Sequence, residues 1–115
     1  MSSNSQPNPE PPGLKEALDR LWRQFLPQMR DRVTVLDTVV GPLAVGALAD
    51  EHRNAVAAAA HNLAGILGSF GLPEGTVLAR EAETICSEHV GAAPAAAARV
   101  AEIAMHLREL IESRR

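Results

Sequence analysis

The sequence predicts an all-α protein, an antiparallel up-down-up-down four-helix bundle with a short additional N-terminal helix. Apolar residues recur at three- and four-residue spacing along long segments, without the period-two alternation of strands. Those segments are separated by short turns marked by Gly and Pro, which makes consecutive helices antiparallel neighbours. Aromatics are 3% of residues and Tyr is absent, so Leu, Val, Ile and twenty Ala must form the core. Alanine-rich segments favour helix.

Residues 1–13 are Ser, Asn, Gln, Pro and Gly around a single Glu, too polar to bury surface, and read as a disordered tail before a domain spanning residues 14–115. Leu14, Leu18, Leu21, Trp22 and Phe25 share one helical face, and Pro27 is expected to end this short helix or bend it into the next. Trp22 and Phe25 match the core stripe and are expected to be buried across one end of the bundle. The second pattern runs through Met29, Val33, Leu36, Val39, Val40, Leu43, Ala47 and Leu48, with a kink or break at Gly41-Pro42. Asp50 is the expected N-cap of the next helix, with Glu51 at its positive end, and Gly71 its stop. Pro73 suits a first helical position, and Val77, Leu78, Ala82, Ile85 and Cys86 turn inward, leaving Arg80, Glu81, Glu83 and Glu88 outward. Gly91 ends that helix and Pro94 opens the last. There Ala97, Val100, Ala101, Ile103, Ala104, Leu107, Leu110 and Ile111 form the seam, and Arg99, Glu102, Arg108, Glu109 and Glu112 the solvated face.

The segment from Asp50 to Gly71 is the most informative. On a wheel of about 100° per residue with His61 at the top, Val56, Ala59, Leu63, Ile66, Leu67 and Phe70 fall within roughly 60° of the bottom. Asn54, Ala57, Ala58, Ala64, Gly65 and Gly68 fall within about 60° of His61. A histidine alone on an arbitrary helix is most often a satisfied core or surface residue. This one is placed opposite the apolar stripe, among the smallest side chains rather than the Glu, Lys and Arg of a solvated face. Two glycines each cost a helix about 1 kcal/mol relative to Ala, which suggests that another molecule comes close to the backbone beside His61.

Composition narrows the chemistry. Net charge is −3 with a pI near 5.8, and no basic run precedes Arg114-Arg115, which argues against a nucleic-acid partner. Cys86 is the one cysteine, so an intramolecular disulfide and a multi-cysteine metal site are excluded. The start of the chain lacks a signal-peptide pattern, and the uncharged run from Thr38 to Ala49 is too short to span a bilayer. A cytoplasmic protein with no membrane association is expected, and ten Arg against one Lys suits a GC-rich genome. His52, His89 and His106 form no helical pair with another ligand near His61, so no metal site is expected. Asp50 and Glu51 lie nearly three turns from His61 and cannot serve it as base and orienter. GILGSFG lacks the Lys-Ser/Thr ending of a phosphate-cradling loop.

The string AHNLAGILGSFGL, Ala60 to Leu72, resembles the signature of histidine phosphotransfer (HPt) domains of multistep two-component phosphorelays. The shared features are the Ala60-His61 pair, Leu63 two residues on, and Gly65 and Gly71 four and ten residues on, with Gly68 at a frequent additional small position. ALADEHRNAV and LAREAE extend the likeness weakly over most of the folded chain. The resemblance implies the same four-helix architecture. It also implies that His61 accepts a phosphoryl group through its outer ring nitrogen from a receiver-domain aspartate and passes it to another receiver. Its cofactors would be none of its own, with Mg²⁺ carried by the partner receiver. The expected partners are response-regulator receiver domains, with a hybrid sensor kinase a further candidate, and the expected state is a monomeric, cytoplasmic, bacterial phosphocarrier without self-sufficient catalysis. Asn54, Ala57, Ala58, Ala64, Gly65 and Gly68 would form the docking surface around His61.

One departure is plain: the family usually carries Lys three residues after the His, where this chain has Ala64. Arg80 on the following helix is a candidate substitute for that cation. The rival reading is an HPt-like helical adaptor, never phosphorylated, that binds or sequesters a receiver or another protein through its small-residue face. An imidazole needs no second catalytic group to offer a lone pair to a phosphoryl group, since phosphoryl transfer depends chiefly on positioning and charge stabilisation.

Overall fold

Residues 12–114 are described in the structure, a computed structural model. The tail expected over residues 1–13 thus lies outside the described residues except for its last two. Four helices follow in order: α1 (Leu14–Val45), α2 (Asp50–Ser69), α3 (Pro73–Glu88) and α4 (Pro94–Arg114). Pairs of side chains fix their directions. Asp19, Arg30 and Asp37 along α1 meet Arg114, Glu112 and Arg108 along α4, in reversed order. Thr38 of α1 meets His52 near the start of α2, and Phe25 meets Phe70 just past its end. Each helix is antiparallel to the next, and α4 closes the ring against α1.

The separate N-terminal helix is not formed. The first two apolar patterns merge into one 32-residue helix with Pro27 and Pro42 inside it. A proline in a helix interior costs about 3 kcal/mol. Against this stand Leu26 and Met29 on either side of Pro27, and Val39 and Leu43 on either side of Pro42, all buried on one continuous stripe. Each such side chain contributes about 1.5–3 kcal/mol when fully buried, so keeping the stripe unbroken outweighs the lost backbone bonds. Trp22 is buried as expected and makes an edge-to-face contact with Phe70, ring centroids 5.1 Å apart, while the Arg114 guanidinium lies over the Trp22 ring. Phe25 stays partly exposed at the end of the same cluster.

The helix ends follow local backbone chemistry. Asp50 is the first helical residue rather than the cap. The cap position is Ala49, extended and without a side-chain bond, and Asp50 and Glu51 instead place two carboxylates in the positive first turn. At the end of α1, Gly46 is left-handed at φ 74°, and Ala47 N–H donates to Pro42 C=O at 2.8 Å. A Cβ on Gly46 would lie 2.7 Å from Ala92 N, because the α3–α4 turn crosses there and Ala93 N–H donates to Leu43 C=O. Arg53 of α2 donates to the carbonyls of Cys86 and His89 at 2.5 and 2.6 Å, covering the C-terminal end of α3. Cys86 itself is fully buried, and that burial pushes its thiol pKa up.

The charged face expected on α4 is more than solvated surface. Arg99 forms a two-point pair with Glu81 of α3, Arg108 pairs with Asp37 and Glu112 accepts two bonds from Arg30 of α1. Exposed pairs contribute little each, but they pin α4 in register against both neighbours. The Arg99 hydrogen bond holds the Glu81 carboxyl below its usual pKa.

Two measurements follow from these contacts. Gly46→Ala should destabilise the protein by at least about 1 kcal/mol in denaturant unfolding, since it meets both a left-handed backbone and a backbone atom. Glu81 has a depressed folded-state pKa, so its contribution is present at neutral pH and lost as pH falls through that value. Glu81→Gln should therefore slightly lower the melting temperature at pH 7, with the difference from the wild type shrinking on acidification.

Candidate functional site

Helices α2 and α3 form the tightest part of the bundle, and small residues allow it. Val56, Ala60, Leu63, Ala64 and Leu67 are the buried residues of α2. Their mean direction is roughly 60° from the one read off the hydrophobic residues alone, because Ala60 and Ala64 turn inward toward α3. Thr76 donates its hydroxyl to Ala64 C=O at 2.9 Å, and a Cβ on Gly68 would lie 3.2 Å from that hydroxyl oxygen. From α3, a Cβ on Gly75 would lie 2.8 Å from Leu67 Cδ1. Backbones approach here because three positions offer one carbon or none.

The six residues expected around His61 are thereby divided. Asn54, Ala58 and Gly65 are exposed, one per turn in line with His61, and a Cβ on Gly65 would meet nothing within 4 Å. Gly68 is exposed but serves the approach of Thr76. Ala57 is half-buried, and Ala64 is only 3% exposed. Ala64 is therefore a packing residue of the α2–α3 seam and offers no side chain to a docking partner. The small-residue face has two uses, one inside the bundle and one outside it.

His61 is 74% exposed in its side chain, on the flank of α2 beside α3 rather than directly opposite the core. Its Nδ1 stands 3.3 Å from Glu83 Oε2. Expected to point outward, Glu83 is half-buried against α2 instead. The turn supplies the reason. His61 and Glu83 each lie eleven residues from Leu72, the last of the three residues between α2 and α3, so an antiparallel hairpin with its register centred there brings them to one level. Gly68 and Thr76, each four residues from Leu72, meet by the same rule. That symmetry was available in the sequence once Leu72 is taken as the hairpin centre.

A carboxylate beside Nδ1 favours the tautomer with the proton on that nitrogen, leaving Nε2 with its lone pair. Nε2 has no partner among the described residues, and the ring is open to solvent. The other three histidines are otherwise engaged: His52 Nε2 is 2.8 Å from Thr38 Oγ1, His89 Nδ1 is 3.2 Å from Ile85 O, and His106 Nε2 is 3.0 Å from Glu74 Oε2. Among the described residues no three His, Cys, Asp or Glu side chains converge as metal ligands. A surface cleft lined by Lys15, Asp19, Trp22, Arg23, Leu26, Arg30 and Arg114 lies along α1 and α4 and does not include His61. The histidine is presented on a convex helical surface, accessible to another macromolecule.

The described helices form an all-α bundle that presents a solvent-facing imidazole backed by a carboxylate. Residues 20–113 match the family model of the Hpt domain, and the chain belongs to that family. Its role is accordingly histidine phosphotransfer in two-component signalling, and domains of this family interact with the receiver domains of response regulators. Neither a curated protein nor a solved structure matches the chain. Among the described residues no helix is long and apolar enough to cross a membrane.

The tautomer is directly measurable. In long-range ¹H–¹⁵N spectra of the neutral ring, His61 should favour the Nδ1–H form, and Glu83→Ala should shift it toward the Nε2–H form that free imidazole side chains prefer. An unchanged spectrum would mean that Glu83 does not orient the ring.

Proposed function

We propose that His61 is the phosphoacceptor and that it relays a phosphoryl group between the aspartates of two receiver domains. The observation that carries this reading is the pairing of an exposed Nε2 with an Nδ1 held beside Glu83. In the forward step the Nε2 lone pair attacks the phosphorus of a receiver aspartyl phosphate. A P–N bond forms as the P–O bond breaks, and the aspartate leaves as its carboxylate. The ring gains positive charge as Nε2 gives up its lone pair, and Glu83 stabilises that charge through the proton on Nδ1. In the return step the same proton lets neutral imidazole leave when a second receiver's carboxylate attacks. Mg²⁺ belongs to the receiver in both steps, and the bundle contributes the nucleophile and its orientation.

Docking is assigned to the exposed row Asn54, Ala58, His61 and Gly65, flanked by the α3 residues that lie along α2. A small-residue row lets a receiver bring its aspartyl phosphate to the in-line geometry that transfer requires. We further read the protein as a bacterial, cytoplasmic monomer.

Two substitutions test the reading. His61→Gln should retain the melting temperature, since solvent-facing changes usually stay within about 0.5 kcal/mol, and should accept no phosphate from a phosphorylated receiver. Continued labelling of this variant would exclude His61, and absence of labelling in the wild type would favour the adaptor reading. Gly65→Gln should match or exceed the wild-type melting temperature, because Gly is the poorer helix former by up to about 1 kcal/mol and the site is open. Transfer in that stable variant should fall at least tenfold. Unimpaired transfer would remove Gly65 from the docking surface.

A further inference from the structure

A phosphoryl group on Nε2 would bring close to two negative charges to a site whose nearest charged neighbour is already the Glu83 carboxylate. His61 itself is followed on α2 by Asn62, Leu63, Ala64 and Gly65, none of them cationic. The sites of α3 that face α2 supply one cation. Residues 76, 80 and 83 share a helical face at four- and three-residue spacing. Thr76 and Glu83, the two ends of that row, both touch α2, at Ala64 C=O and at His61. Arg80 lies between them. It stands eight residues after Leu72, as Ala64 stands eight before it, so it is level with the turn of α2 that follows His61.

Arg80 is exposed and makes no hydrogen bond or ion pair with any other described residue, whereas Arg30, Arg53, Arg99, Arg108 and Arg114 all do. Ala64 is buried, and a Cβ on the neighbouring Gly65 would meet nothing within 4 Å. A guanidinium there has five donors and is held in no ion pair with a described residue, and its planar fork matches phosphoryl oxygens.

We infer that Arg80 is the phosphoryl-binding cation of this site, reaching across the α2–α3 seam to hold the oxygens of the group on His61 and to offset the charge of Glu83. The inference rests on His61 being the phosphoacceptor. It assigns the two roles at the nitrogen and at the phosphorus to different residues of one α3 row: Glu83 keeps the proton on Nδ1, and Arg80 neutralises the phosphoryl oxygens.

The test uses the whole protein and phosphoramidate, a small anionic phosphoryl donor that needs no partner. The reaction moves the phosphoryl group from the donor nitrogen to Nε2, releasing ammonia. The initial rate of base-stable, acid-labile phosphate incorporation is compared among the wild type, Arg80→Gln, Arg80→Lys and Arg80→Glu. Arg20→Gln, an unpaired arginine on α1, is the control. One unit charge acting on two at about 6 Å in a water-like medium changes a rate by about tenfold. Arg80→Gln should therefore load roughly five- to tenfold more slowly, Arg80→Lys should recover most of the rate, and Arg80→Glu should be slower than Arg80→Gln. Arg20→Gln should stay within twofold. The gap between the wild type and Arg80→Gln should narrow at 1 M salt, where charge interactions are screened beyond about 3 Å. Melting temperatures should be unchanged, because Arg80 has no partner to lose. If His61 loads in the wild type and Arg80→Gln loads equally fast, the assignment of Arg80 is overturned while His61 stands. If His61→Gln loads as well as the wild type, the acceptor assignment itself falls, and this one with it.

Discussion

The close approach of α2 and α3 is the constraint on which the site depends. Ala60, Ala64 and Gly68 on one helix, and Gly75 and Thr76 on the other, let two backbones come within reach of a single hydroxyl. Dispersion contacts are individually weak and fall steeply with separation, so a bulkier residue at any of these positions would force the helices apart or turn one about its axis. Either change would separate His61 from Glu83. The setting of the exposed ring thus depends on packing along the adjoining flank of the same helix.

The remaining elements hold that hairpin in place. Arg53 covers the end of α3, while Leu63 and Leu67 bury fully in the core that α1 and α4 complete. The long α1 keeps one apolar stripe through two prolines, and its ion pairs with α4 lock a second hairpin-like unit behind the first. Nothing in this arrangement requires His61 to be stabilised by the fold, which frees it to face a partner. The ring is 74% exposed in its side chain, and its one close contact is the Glu83 carboxylate at Nδ1.

Much of this was legible in the sequence because helical period and turn chemistry are local. Gly71 and Pro73 marked the α2–α3 turn, Gly91 and Pro94 the next, and His61 stood apart from the apolar stripe. The misreadings share one physical origin: they depend on what a neighbouring helix contributes. Pro27 looked like a helix end because proline's cost is local, while the buried stripe that outweighs it is tertiary. Ala64 looked like exposed surface because alanine carries no signal of which side it faces, and close helix packing recruits it. Glu83 looked like a solvated charge until the hairpin register paired it with His61, and the Arg99–Glu81 pair was hidden in the same way. Residue types predict which faces are apolar, but not which small or charged residues a partner helix will use.

The central claim is that α3 turns the imidazole so that Nε2, and not Nδ1, does the chemistry. The most direct measurement is ³¹P NMR of the receiver-phosphorylated protein with ¹⁵N-labelled histidine, reading which ring nitrogen is bonded to phosphorus and to which residue it belongs. One phosphohistidine signal is expected, arising from His61 with phosphorus on Nε2. Phosphorus on Nδ1 of His61, or on any of His52, His89 and His106, would contradict it.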